Sequence, residues 1–136
     1  MQALAYFPNA QDEGSFIYFI LQEEDRSEEL GGFIKIGVAR NPRARLRELQ
    51  TGNPRLLRLI ALCRGDLETE KWLHQELVSY RSRGEWFQLG TAWHALMALH
   101  SLEREYSAED CLSAIQAALT EEHGMFFPSP ALQGAA

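Results

Sequence analysis

The chain has 136 residues, a length that fits one domain of ordinary size. It is 46% hydrophobic and 24% charged, a composition that supports a folded core and excludes a chain that is disordered throughout. No apolar run approaches the roughly 20 residues of a membrane span, and the first residues lack the regions of a secretory signal. We therefore expect no membrane association and a cytoplasmic protein whose two cysteines, Cys63 and Cys111, are reduced.

The net charge of −6 hides an uneven distribution. Residues 35–83 hold 11 basic and 5 acidic side chains, a local excess of +6, whereas the rest of the chain holds 2 basic and 14 acidic ones. A basic block inside an acidic chain is typical of a localised polyanion site. A solvated, arginine-rich helix would produce the same distribution.

The first part of the chain predicts two paired strands. Residues 16–21 are aromatic and β-branched on both faces, which predicts a central strand that is covered on both sides. The acidic segment 22–32 ends in two glycines and predicts a turn. Residues 33–38 predict a second strand, antiparallel to the first, in which Lys35 lies on the face opposite the aliphatic side chains.

A helix and a third strand are predicted next. Asn41 followed by Pro42 is typical of an N-cap and a first helical position, and we expect the helix to run to about Gln50. Arg45 lies at the border of its apolar stripe. Residues 56–62 are apolar and predict the third strand.

A second helix is predicted over residues 67–82, and its apolar arc contains a carboxylate. Glu70 lies in the middle of that arc, where an ionised side chain is costly to bury unless it is paired or bound to a metal. Residues 86–89 are a short apolar stretch or strand. Residues 91–106 and 107–122 predict two further helices, with a capping box at the start of the second. In the helix predicted over residues 67–82, the apolar arc around Glu70 consists of Leu67, Leu73, Leu77 and Val78.

Four side chains in successive elements of this unit suit phosphodiester chemistry. They are Tyr18, Lys35, Arg45 and Glu70. A phenol, two cations and a carboxylate can hydrolyse a phosphodiester with one metal ion, and they can also simply hold a nucleic acid. Each has a structural alternative: Tyr18 as a core aromatic, Lys35 reaching to solvent, and Arg45 and Glu70 as an ion pair.

The order of these residues resembles the GIY-YIG nuclease superfamily. The matching segments are Phe16-Ile17-Tyr18, Ile34-Lys35-Ile36-Gly37, Arg45-Leu46 and Glu70. The resemblance is greatest to a branch whose second motif reads Lys-Ile-Gly, which includes phage DNA-binding proteins and meiotically up-regulated gene products. A Leu-Gln-Thr-Gly-Asn-Pro stretch and a Gly-Glu-Trp-Phe motif recur in that branch and occur here.

The resemblance implies an α/β (α+β) fold with a three-stranded antiparallel sheet and flanking helices, in β-β-α-β-α order. A helical C-terminal extension would follow. We expect a lead-in at residues 1–15 and a catalytic or DNA-binding domain at 16–89. A helical extension at 90–122 would pack on that domain, and a disordered tail would occupy 123–136.

The resemblance also implies roles for individual residues. Tyr18 would be a general base or position the attacking water, and Arg45 would steady the scissile phosphate. Glu70 would hold one divalent ion, Mg²⁺ or Mn²⁺. Phe16 replaces the first glycine of the family pattern and Lys35 replaces its second tyrosine. We expect the charge of Lys35 to favour the phenolate of Tyr18.

Further residues are predicted around this centre. His74, four positions after Glu70, is predicted to support a catalytic side chain or to contact the substrate, with packing as the alternative. Trp86 is either a base-stacking platform or a core residue. Five arginines are predicted to contact DNA phosphates, a kind of contact that does not read the base sequence: Arg40, Arg43, Arg47, Arg55 and Arg58.

The leading prediction is a metal-dependent DNA endonuclease that hydrolyses phosphodiester bonds. One alternative is a catalytically inactive DNA-binding module of the same fold. Another is a protein-interaction domain that uses its acidic flanks and C-terminal helices. In any of these cases, residues 90–122 are the expected contact for a protein partner or a homodimer.

Overall fold

A computed structural model describes residues 14–23, 32–100 and 106–123. Most of the predicted lead-in, most of the acidic segment 22–32 and the predicted tail beyond residue 123 lie outside this part of the chain. The strands are β1 (Phe16–Gln22), β2 (Phe33–Ala39), β3 (Leu57–Arg64), β4 (Arg81–Arg83) and β5 (Trp86–Gln88). The helices are α1 (Pro42–Thr51), α2 (Leu67–Glu76), α3 (Trp93–His100) and α4 (Ala108–His123), with a 3-10 turn at Val78–Tyr80.

The sheet is antiparallel and its strand order is β3-β1-β2-β5-β4. β1 lies between β3 and β2 and its first six residues are buried, so the predicted central strand is confirmed. The predicted antiparallel pairing of β1 with β2 is also confirmed, and its register places Tyr18 opposite Gly37. On the other side of β1, Tyr18 lies opposite Leu62 of β3.

The expected three-stranded sheet is wrong, because β4 and β5 extend it to five strands within an α+β fold. The reason is that α2 ends at Glu76, whereas the predicted helix continued to Ser82. After the 3-10 turn the backbone becomes extended at Arg81 and reverses at Gly84, which has a positive φ of 57°. The apolar stretch at residues 86–89 does form a strand, β5, but a strand of three residues such as β4 is too short to show an alternating pattern in the sequence.

Two apolar clusters cover the two faces of the sheet. The alternation of β1 sends Ile17, Phe19 and Leu21 to one cluster, which is completed by α2, α3 and α4. It sends Phe16, Tyr18 and Ile20 to the other cluster, which is completed by side chains of α1. The cluster that contains Tyr18 is therefore separated by the sheet from the cluster under the C-terminal helices.

The C-terminal helices direct their apolar faces into the first cluster. Leu96 of α3 and Ile115 of α4 are fully buried there, and both helices pack on β3. Cys63 and Cys111 are free thiols that are buried in the same cluster. The predicted capping box of α4 is confirmed by reciprocal hydrogen bonds between Ser107 and Asp110. None of the described helices is both long and apolar enough to span a bilayer.

Candidate functional site

Tyr18 is placed by its pairing with a residue that has no side chain. The phenol lies over Gly37 on the neighbouring strand, where a Cβ atom would meet the Tyr18 hydroxyl and the adjacent ring carbon. Tyr18 is 1% exposed, so its ring has no room to move outward. The glycine of the Lys-Ile-Gly segment is therefore required by the path of the tyrosine ring.

Arg45 reaches the same phenol from α1. Asn41 caps that helix by accepting a hydrogen bond from Ala44 N–H at 3.1 Å, and Pro42 occupies the first turn, as predicted. This start places Arg45 one turn into the helix, where its guanidinium donates a hydrogen bond to Tyr18. Arg45 Nη1 also lies 3.1 Å from the Glu48 carboxylate. The phenol and the guanidinium thus form one hydrogen-bonded unit.

The acid–base state of Tyr18 is the opposite of the expected one. Burial raises the pKa of Tyr18 above its ordinary value of 10, and the hydrogen bond from Arg45 only partly opposes this effect. Lys35 was expected to favour the phenolate, but its Nζ lies 3.1 Å from the Glu85 carboxylate. The negative charge of Glu85 further raises the pKa of Tyr18. The phenol therefore keeps its proton at neutral pH.

Glu70 and His74 lie along the outer edge of β2, beyond the end of β5. The β2–β5 register covers residues 33–35 of β2, and Ile36 N–H then donates to the Glu85 carbonyl at 3.0 Å. Farther along the edge, His74 Nε2 lies 2.8 Å from the Ile36 carbonyl, and Val38 N–H donates to the Glu70 carboxylate. A carbonyl oxygen only accepts, so Nε2 of His74 carries the proton in this contact. The two α2 side chains therefore satisfy polar groups of β2 that no strand pairs.

The spacing of Glu70 and His74 along α2 explains how both side chains reach the unpaired edge of β2. Residues four apart on a helix rise about 6 Å, and residues two apart on a strand rise about 6.6 Å. Glu70 and His74 therefore match Val38 and Ile36 when α2 lies beside the strand. Glu70 is 7% exposed, which agrees with its predicted place on the buried arc. By contrast, Leu67 of that arc is 52% exposed, because it lies at the first position of the helix.

The contacts of Glu70 do not fully stabilise its ionised form. Burial raises its pKa above the ordinary value, the charge of Glu85 raises it further, and His74 and Lys35 lower it by less. The charge of Glu70 also acts on Tyr18. Pairwise charge interactions thus link six residues, which we call the electrostatic cluster: Tyr18, Lys35, Arg45, Glu70, His74 and Glu85.

Glu85 is the member of this cluster to which the sequence assigned no chemical role. Its signal was present in the Gly-Glu-Trp-Phe motif, which combines the turn glycine, this carboxylate and the start of β5. The contact with Lys35 depends on the pairing of β5 with β2, two strands separated by some fifty residues of chain.

The arginines predicted to contact phosphate are distributed unevenly. Arg40, Arg43 and Arg47 are exposed on or just before α1, the helix that carries Arg45. Arg55 is half-buried in the segment between α1 and β3. Arg58 pairs with Glu23 at 2.8 Å and lies opposite Leu21, whose side chain belongs to the other face of the sheet. The structure therefore does not bring Arg58 to the Tyr18 site.

The donor set around Glu70 suits only a hydrated cation. Among the described residues, no group of three or more His, Cys, Asp or Glu side chains is arranged to hold a metal ion. A divalent ion here would rely on the Glu70 carboxylate and several waters, an arrangement that Mg²⁺ accepts. The raised pKa of Glu70 fits this use, because a nearby cation would stabilise its ionised form.

Comparison with known proteins gives one match. Residues 15–112 match the model of the T5orf172 domain, which is found in phage proteins and is associated with nuclease-like and DNA-binding families. No curated protein and no solved structure shows significant similarity to the chain. The matched segment contains every residue of the electrostatic cluster and continues through α3 into α4. Because it spans 98 of the 136 residues, the chain belongs to the T5orf172 domain family.

Proposed function

We propose that this protein is a metal-dependent endonuclease that hydrolyses phosphodiester bonds in DNA, with a catalytic centre of GIY-YIG type. The proposal is supported by one observation: Tyr18 of β1, Arg45 of α1 and Glu70 of α2 lie near enough for the charges of Arg45 and Glu70 to act on the Tyr18 phenol. The T5orf172 match supports the same class of function. The GIY-YIG assignment itself stands on the motif resemblance.

The geometry allows Arg45, Tyr18 and Glu70 one role each in the reaction. The half-exposed Arg45 guanidinium has donors in addition to those that meet Tyr18 and Glu48, and these would bind a phosphate oxygen. The protonated Tyr18 hydroxyl accepts from Arg45 and donates its own proton, so in the resting state it would orient water or phosphate rather than act as a base. Glu70 would hold the divalent ion, Mg²⁺ or Mn²⁺, which when bound stabilises negative charge on the phosphate and the leaving oxygen.

A second candidate is DNA binding without cleavage. It is favoured by two observations: the pKa of Tyr18 is raised, and the Lys35 ammonium is already paired with Glu85. In such a module Arg45 and the exposed arginines of α1 would hold phosphates, and Glu70 would serve only the edge of β2. The binding would weaken steeply as salt is raised.

The decisive experiment compares Glu70→Gln with Glu68→Gln on supercoiled plasmid and branched duplex DNA. Glu68 lies on the same turn of α2, but its side chain is 82% exposed, so it is a matched control. We expect nicking by the wild type and the Glu68 variant with Mg²⁺ or Mn²⁺, none in chelator, and none from Glu70→Gln. If the wild type never nicks but shifts DNA in a salt-sensitive manner, the binding module is the correct function.

A further inference from the structure

Within the described part of the chain, α1 covers only part of one sheet face. This helix packs on β3, β1 and β2, whereas β5 and β4 continue the same face beyond it. Alternation along β2 and its register with β5 and β4 identify the side chains on this continuation. They are half-buried or exposed, and we call them the open sheet face: Phe33, Lys35, Arg83, Trp86 and Gln88.

The centre of the open sheet face is a cation beside an indole ring. Lys35 and Trp86 are directly opposite each other, and Lys35 Nζ lies 5.4 Å from the centre of the Trp86 ring. Trp86 packs at one side against the cluster that contains Tyr18, yet it stays partly exposed. Arg83 lies opposite Trp86 on the edge strand and is exposed. The ring thus has a cation on each side, the exposed Arg83 and the Lys35 ammonium, which also pairs with the Glu85 carboxylate at 3.1 Å.

The open sheet face is continuous with the proposed catalytic centre. Lys35 is two residues from Gly37, over which the Tyr18 ring lies, and two residues of strand span about 6.6 Å. This is close to the length of one nucleotide of an extended strand. A chain held at Arg45 and Tyr18 would therefore reach the position of Lys35 with its next unit, and Trp86 lies directly across from Lys35 on β5.

We propose that the open sheet face binds an unpaired segment of DNA next to the scissile phosphate, with a base stacked on Trp86 and phosphates near Lys35 and Arg83. An aromatic ring between cations is the usual platform for single strands, because every base has a π-face. Bases inside a duplex are already stacked and cannot reach such a ring without being extruded. The preferred substrate would therefore be branched or frayed DNA. This inference rests on the proposed function in taking DNA as the polymer and in placing the scissile phosphate at Arg45 and Tyr18, whereas the binding of an unpaired segment to the open sheet face does not depend on cleavage.

The test measures binding alone. A thymidine oligonucleotide of about 10 residues, within the usual range of single-strand sites, is titrated in chelator while tryptophan fluorescence is recorded. Trp86→Leu keeps an apolar side chain but removes the aromatic face. Trp72→Leu is the matched control, because Trp72 is also partly exposed but lies on the outward side of α2, in the direction away from the sheet.

We expect the oligonucleotide to quench the fluorescence of the wild type and of the Trp72 variant, and to leave that of Trp86→Leu unchanged. Binding by Trp86→Leu, followed by the anisotropy of a labelled oligonucleotide, should weaken roughly 5- to 150-fold, the usual value of one stacked base. Arg83→Gln changes an exposed residue that cannot disturb the core, and it should weaken binding and reduce its salt dependence. Lys71→Gln, a 63% exposed lysine on α2, should do neither.

The inference is overturned if Trp86→Leu and Arg83→Gln both bind the oligonucleotide as the wild type does, or if a blunt duplex binds as tightly as the single strand. Tighter binding of a uridine oligonucleotide would overturn the assignment to DNA. These outcomes are independent of cleavage. A protein that binds single strands through Trp86 but never nicks DNA would refute the proposed function and leave this inference intact.

Discussion

Substitution of Gly37 by alanine tests the placement of Tyr18 most directly. A Cβ at this position would meet the Tyr18 hydroxyl and would lie 3.0 Å from Cε1 of the ring. The φ of Gly37 is not positive, so the backbone itself would accept alanine and the penalty would come from the contact alone. Overpacking a closed core costs typically about 1 to 3 kcal/mol. In a chain of this size, that corresponds to a fall in melting temperature of roughly 3 to 15 °C.

The assay is thermal or urea unfolding of a double-mutant cycle. Gly37→Ala should be strongly destabilising in the wild type and much less so in Tyr18→Ala, where the phenol is gone. Gly52→Ala is the control, because nothing lies within 4 Å of its Cβ position and its φ is −101°. That change should be neutral or stabilising by up to about 1 kcal/mol. If Gly37→Ala costs the same in both backgrounds, Tyr18 does not lie over Gly37.

Two further predictions concern histidines. His74→Ala removes the donor to the Ile36 carbonyl at 2.8 Å and should cost about 1 to 3 kcal/mol in urea unfolding, whereas His94→Ala, at an exposed position, should cost little. Burial lowers the pKa of His100 to about 4, below the ordinary 6.5, so the unfolded chain binds more protons between those values. The free energy of unfolding should therefore fall by on the order of 3 kcal/mol as the pH drops through that window. His100→Leu should remove this pH dependence, and an unchanged pH dependence in the variant would contradict the assignment to His100.

The elements with strong local signals were predictable from the sequence. The Asn-Pro start of α1 and the two-sided apolar pattern of β1 need only neighbouring residues, and both are confirmed. A short strand was one of the two alternatives predicted for residues 86–89, and β5 lies there. The strand β4 and the place of both strands in the sheet were not predicted, because three residues show no period and the pairing of β5 with β2 and of β4 with β5 supplies their stability. The end of α2 was missed for a related reason. Leu77 and Val78 continue the helical apolar pattern, but only Leu77 is buried.

The site was predictable in its residues but not in its contacts. The helical wheel placed Glu70 on the buried arc, and the structure buries it. Its partner, Val38 N–H, is available only because β5 begins at Trp86, opposite Lys35, and leaves the outer edge of β2 unpaired beyond that point, which is a property of the whole sheet. Likewise, the pairing of Lys35 with Glu85 follows from strand order, and it reverses the expected effect on Tyr18. Local patterns identify candidate residues, and tertiary pairing decides what each one does.

Loss of activity in Glu70→Ala would be ambiguous, because this carboxylate also accepts from Val38 N–H. Glu70→Gln separates the two roles, since the amide oxygen still accepts that hydrogen bond but the charge is gone. Burial and Glu85 raise the folded-state pKa of Glu70 above its ordinary 4.5, so its ionisation opposes folding as pH rises from that value through the folded-state pKa. Above this window Glu70→Gln should gain stability relative to the wild type, while Glu70→Ala should be less stable than Glu70→Gln at every pH.

Added Mg²⁺ should then raise the melting temperature of the wild type and not that of Glu70→Gln, because only the ionised carboxylate offers a site for the cation. This readout does not depend on cleavage. An equal shift in both proteins would place the ion elsewhere, and equal stability of Glu70→Ala and Glu70→Gln would refute the contact with Val38. If Mg²⁺ has no effect on the wild type while the pH dependence is as expected, Glu70 serves the edge of β2 alone. In that case the DNA-binding module becomes the better account of this site.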